Sequence, residues 1–138
     1  MGTNYYLKTN VCQHCGRGDE PRHIGKSSGG WCFALHIYPE DGINILADWE
    51  QLFKKQENAI FDEYGTPTTI AKLMEIITKR SWKPRNDRQP MGYHDWEDFD
   101  LKNYSQLGPN GLSRHKIDGC HCIGHGEGTY DYLVGEFC

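Results

Sequence analysis

From Ser81 to Gly128 the sequence carries no sustained hydrophobic period, and that stretch is about a third of the chain. Pro84, Pro90 and Pro109, scattered glycines and clustered charges interrupt every helix or strand pattern there. Regular structure is therefore confined to residues 1–80 and to a short run near residue 130. The expectation is a single domain over residues 1–138, with a long irregular segment at about 81–128. Such long loops in compact domains tend to be functional or disordered, and the histidines and cysteines near its end favour function. Composition agrees: 37% hydrophobic residues, 25% charged and 16 glycines allow a modest core with much of the chain in turns.

Residues 3–11 read as a strand in which Tyr5 and Leu7 alternate with polar neighbours, interrupted by the cysteine turn at 12–16. A second strand is expected over 22–28, a Gly29-Gly30 turn, and a third, largely buried strand over 31–38. Leu46, Trp49, Leu52 and Phe53 share one face of a helix from about Leu46 to Lys55. Ala59–Asp62 is a short strand ending in a Tyr64-Gly65 turn. A second helix is expected to start near Thr66-Pro67-Thr68, where a hydroxyl cap and an early proline both suit a helix start. Ile70, Leu73, Met74 and Ile77 carry its apolar stripe to about Arg80. Thr129–Phe137 resumes strand alternation and is expected beside the N-terminal strands. The fold class is α+β: a small antiparallel sheet with a zinc-knuckle-like cysteine turn, two helices and a long Gly/His-rich segment.

Six cysteines without a signal-peptide pattern point to thiols or metal ligands and to a cytoplasmic setting. No apolar run long enough for a membrane span exists. Cys12-x-x-Cys15-Gly16 is the strongest local motif, since a tight turn lets both sulfurs face one ion. Cys32 and His36 offer a nearby completion, but four residues apart on a strand they sit roughly 13 Å from one another. Cys122 and His125 offer a distant one, within a glycine-rich stretch able to wrap an ion. The expected site is a structural zinc held by Cys12, Cys15, Cys122 and His125. His125, Glu127 and the cysteine pair also supply the parts of a zinc deaminase, but in the wrong chain order.

His23-Ile24-Gly25-Lys26-Ser27-Ser28 resembles the tail of a phosphate loop, yet Glu20 stands where the first glycine is needed and no helix follows. A lysine and two hydroxyls beside a glycine turn still suit an anion, so His23, Lys26, Ser27, Ser28, Arg114 and His115 are the expected ligand-binding residues. His115, His125 and Glu127 are acid–base candidates for phosphodiester cleavage should the protein be an enzyme. Lys79, Arg80, Lys83, Arg85 and Arg88 form a basic run around Trp82, followed by the acidic Asp95, Glu97, Asp98 and Asp100. The net charge of −4 argues against general DNA binding.

Cys12-x-x-Cys15-Gly16-Arg17, His23-Ile24-Gly25-Lys26-Ser27-Ser28-x-Gly30-Trp31, Asp62-Glu63-Tyr64-Gly65, His125-Gly126-Glu127-Gly128-Thr129 and Gly135-Glu136-Phe137 span most of the chain. Together they resemble small uncharacterised proteins of tailed bacteriophages. The resemblance implies a setting, the cytoplasm of an infected bacterial host, and suits an anti-defence role; it implies no chemistry. The expected function is thus a zinc-stabilised accessory protein binding a phosphate-bearing small molecule such as a signalling nucleotide. A metal- or His-dependent phosphodiesterase or nuclease, and a zinc-knuckle adaptor gripping a host protein, are the alternatives.

Overall fold

The computed structural model describes residues 2–28, 33–79, 94–95, 97–98, 101, 114–115 and 130–134. In chain order these give β1 (Gly2–Lys8), β2 (Arg22–Ser28), β3 (Phe33–Ile37), α1 (Leu46–Phe53), β4 (Ala59–Asp62), β5 (Pro67–Thr68), α2 (Ile70–Lys79), β6 (Arg114–His115) and β7 (Tyr130–Val134). The strands form one sheet in the order β5-β4-β1-β2-β3-β7-β6. Neighbours are antiparallel from β5 to β3; β7 then runs parallel to β3, and β6 parallel to β7. The α+β class holds. The sheet has seven strands among the described residues and is mixed, where a small antiparallel one was expected.

Alternation along β1 sets the two faces, because successive strand side chains point to opposite sides. Tyr5 and Leu7 are buried, and Asn4, Tyr6 and Lys8 between them are half-buried on the other face. The register carries this across the sheet: Leu7 pairs with Ile60, and Tyr6 with Phe61. Pairing with β2 steps from Tyr5–Gly25 to Tyr6–His23, so β2 holds one extra residue, Ile24, at a bulge. Gly25 is required beside it. A Cβ there would meet the Phe33 ring at 2.5 Å and strike the Ala34 carbonyl oxygen, whereas glycine lets the Tyr5 and Phe33 rings approach to 6.4 Å.

Both helices add to one core. Leu46, Trp49 and Phe53 from α1, and Leu73 and Ile77 from α2, pack in one cluster with Leu7, Ile24, Phe33, Leu35 and Ile60. Trp49 is fully buried, and its indole N–H donates to the His36 carbonyl at 2.8 Å, so its one polar atom costs nothing there. The Asp48 carboxylate closes the α1 start by accepting the N–H groups of Asn44 (2.9 Å) and Ile45 (3.2 Å). The start of α2 lies later than expected. Thr69 is the cap, its hydroxyl accepting the Lys72 N–H at 3.1 Å. Pro67 instead pairs with Phe61 in β5, at the sheet edge, where a missing N–H is tolerated. Among the described residues no helix is long and apolar enough to cross a membrane.

Candidate functional site

The first strand ends at Lys8, and the chain then turns through the cysteine motif. Thr9 and Asn10 side chains both donate to Asp19, at 2.9 and 2.7 Å, so the two ends of the turn are tied together. Val11 N–H donates to the Glu57 carbonyl (2.6 Å), Cys12 N–H to Arg17 (2.6 Å), and Gly16 N–H to Cys12 (2.8 Å). Gly16 takes a left-handed φ of 76°, the conformation expected of the residue after the second cysteine. Both thiols are exposed. The backbone amides of Cys15 and then His14, together with the Cys15 side chain, hydrogen-bond the Cys12 sulfur and draw its pKa below the usual thiol value. Two thiols on one folded turn, one already hydrogen-bonded by amides, are residues that could supply two ligands to a soft metal. Among the described residues no group of three or more metal-ligating side chains comes together. Cys122 and His125, expected as the other ligands, lie outside the described residues, as do Cys32, His121 and Glu127.

Across the β2–β3 pair His23 and His36 meet, their Nδ1 atoms 3.0 Å apart. His23 Nε2 lies 2.8 Å from Asn4 Oδ1, and the Tyr38 hydroxyl donates to the His23 carbonyl at 3.0 Å. These contacts define one self-consistent assignment: His23 donates from Nε2 to Asn4 and accepts at Nδ1 from His36. Tyr38 stacks on His36 with ring centroids 4.1 Å apart. Burial first, then the charges of His36 and Lys26, push the His23 pKa down to about 4, so this imidazole is neutral near pH 7. Burial pushes the Tyr38 phenol up to about 12, against the opposing pull of Arg22, whose guanidinium lies 4.7 Å from the ring centroid. The His36 Nδ1 is engaged by His23 and by the Tyr38 hydroxyl, at 3.0 and 3.2 Å, and Cys32, the other half of the Cys32–His36 completion, lies outside the described residues.

Residues 23–28 lie in β2, the strand expected over 22–28, paired with β1 on one side and with β3 at Gly25 and Lys26 on the other; Gly29 and Gly30, the expected turn beside them, lie outside the described residues. Ser27 is buried, and the Lys26 stem lies against Gly2. Arg114 and His115 are in β6 at the far edge. Two strands separate β6 from β2 in the sheet, roughly 14 Å at the usual spacing.

Cavities among the described residues lie elsewhere. One of about 550 Å³ is lined by Leu7, Ile43 and Leu52, with Asp19, Glu20, Asp41 and Asp48 outnumbering Arg22 and Lys55 among its charged residues. Another, of about 330 Å³, opens where β1 and β4 pair and is lined by Tyr6, Phe61, Pro21 and Lys8, with Asp62, Glu63 and Gly65 at its edge. Sequence reasoning missed this second site, because Tyr6 and Phe61 become neighbours only through long-range strand pairing. The histidine pair left a fainter signal: a hairpin of the two expected strands brings residues 23 and 36 near one another. No family model, curated protein or solved structure matches the chain.

Proposed function

We propose that this protein is a zinc-stabilised binding domain whose ligand bears phosphate. The observation that carries the reading is the cysteine turn, where Cys12 and Cys15 are both exposed and the Cys12 sulfur accepts two backbone amides. Structural zinc takes four ligands, and thiolates in a tight turn are a common first pair. Cys122 and His125 complete the set in this reading. The ion then ties the turn after β1 to the segment before β7, an economical way to order a chain with a modest core.

The phosphate half of the proposal rests on the sheet face that carries Asn4, Tyr6 and Lys8. Lys8 and Lys26 both fall on that face by strand alternation, and His23 lies between them across the β1–β2 pair. The acidic total suits a confined anion site better than a broad nucleic-acid surface. Metal content of protein purified without chelators tests the zinc. The expected result is one zinc per chain, lost in both Cys12→Ser and His125→Ala. Zinc retained by either variant, or none in the unaltered protein, removes this ligand set.

A further inference from the structure

We infer that the cavity between β1 and β4 is a nucleotide site, in which a nucleobase stacks on Tyr6 and Phe61 and Lys8 receives the phosphate. The inference deepens the phosphate-ligand reading above but places the ligand on residues that reading did not name.

The aromatic pair comes first. Tyr6 and Phe61 are direct cross-strand partners, so their rings rise side by side from the same face, with Cβ atoms roughly 5 Å apart. Both are half-buried, in a sheet whose other face already holds the core. Two aromatic side chains left partly open on one sheet face offer rings against which a flat ligand can stack. Pro21 adds an apolar wall, and the cavity of about 330 Å³ lies at the small end of the usual ligand range, about 300–1,000 Å³. That size admits a single nucleotide unit and excludes a duplex.

Charge then selects among flat ligands. The Lys8 ammonium lies 5.2 Å from the centroid of the Phe61 ring, on a stem long enough to swing aside as a base enters. The two carboxylates at the edge are turned to other work. Asp62 Oδ1 accepts the N–H groups of Tyr64 and Thr66, each at 2.9 Å, and Glu63 Oε1 accepts the Asn4 N–H at 2.8 Å. The lining thus holds two carboxylates to one ammonium; backbone N–H groups partly offset the carboxylate charges, and Lys8 is the group placed to meet a ligand phosphate.

The surroundings hold the platform in place. His23 packs against Tyr6 with centroids 5.4 Å apart, and His23 is itself fixed by Asn4 and His36. The cysteine turn reaches the same spot from behind. Gly18 lies so close to the Lys8 stem that an added Cβ would sit 2.7 Å from Lys8 Cγ, and Pro21 closes the wall. An ion held by Cys12 and Cys15 therefore stiffens the loop that backs the site.

The test is calorimetric titration of the full chain, with zinc content measured on the same sample. The probes are adenosine 5′-monophosphate, uridine 5′-monophosphate, ribose 5-phosphate and a short single-stranded oligonucleotide. Both mononucleotides are expected to bind, and ribose 5-phosphate about tenfold or more weakly because it lacks the stacking ring. Phe61→Leu keeps an apolar side chain in the sheet and should weaken binding about tenfold, and Lys8→Glu should do the same through charge. Circular dichroism must show both variants folded. Tighter binding of the oligonucleotide assigns the ligand to a single strand; equal or weaker binding assigns it to a free nucleotide. No binding of any probe to the folded protein, or affinities unchanged in both variants, overturns the inference. Binding that persists in a sample without zinc keeps the nucleotide site and refutes the metal reading alone.

Discussion

His23 is held neutral in the fold by burial and by the positive charges of its neighbours, with a pKa near 4 in place of the usual 6.5. The sign of the consequence is fixed. Between pH 4 and 6.5 the unfolded chain binds a proton at this residue that the folded chain does not. Its contribution to stability is thus complete above pH 6.5 and lost as pH falls through that window toward 4. Urea unfolding across this range should show uptake of up to one extra proton, and a His23→Gln variant should flatten that part of the profile. A profile unchanged by the substitution would place the acid sensitivity elsewhere. The sequence itself excludes a phosphate loop at 23–28, since Glu20 stands where the first glycine is needed; in the strand found there His23 is bonded to Asn4 and His36, and Ser27 is packed away.

The helix α2 shows how a local signal can be right in kind and wrong in place. Thr66-Pro67-Thr68 has the chemistry of a helix start, and the helix follows at Ile70. The ladder between β4 and β5 takes Pro67 and Thr68 instead, pairing them with Phe61 and Ile60. The capping role then passes to Thr69. Thr69→Ala should cost about 1 kcal/mol, the usual loss for a hydroxyl cap. Thr66→Ala should cost much less, since its backbone rather than its hydroxyl serves the Asp62–Thr66 turn. Paired chemical denaturation of the two variants settles which threonine caps α2; equal losses would contradict the structure. Other elements were legible almost to the residue. The strands at 22–28 and 59–62 and the helix stripe through Leu46, Trp49 and Phe53 all follow from periodicity and turn residues. Their signals are local, so no distant partner could shift them.

What one stretch of sequence cannot carry is register between distant strands. The pairing of β1 with β4 makes the Tyr6–Phe61 platform, and the parallel pairing of β3 with β7 brings the C-terminal strand into the sheet. Neither follows from spacing, because any strand of suitable alternation could have taken those places. The cysteine motif is legible because it is local: Cys12 and Cys15 sit on one short hydrogen-bonded turn closed by Gly16. Its completion by Cys122 and His125 is a long-range matter like the strand pairings. The zinc-stabilised reading makes a direct demand on the whole molecule, since an ion that binds only the folded chain must raise its stability. The decisive measurement is thermal unfolding of the full chain with and without a strong zinc chelator, for the unaltered protein and for Cys12→Ser. The account predicts a melting temperature lowered by chelator in the unaltered protein, a similarly low value in the variant, and no further chelator effect there. Coincident melting curves for the unaltered protein with and without chelator would contradict it.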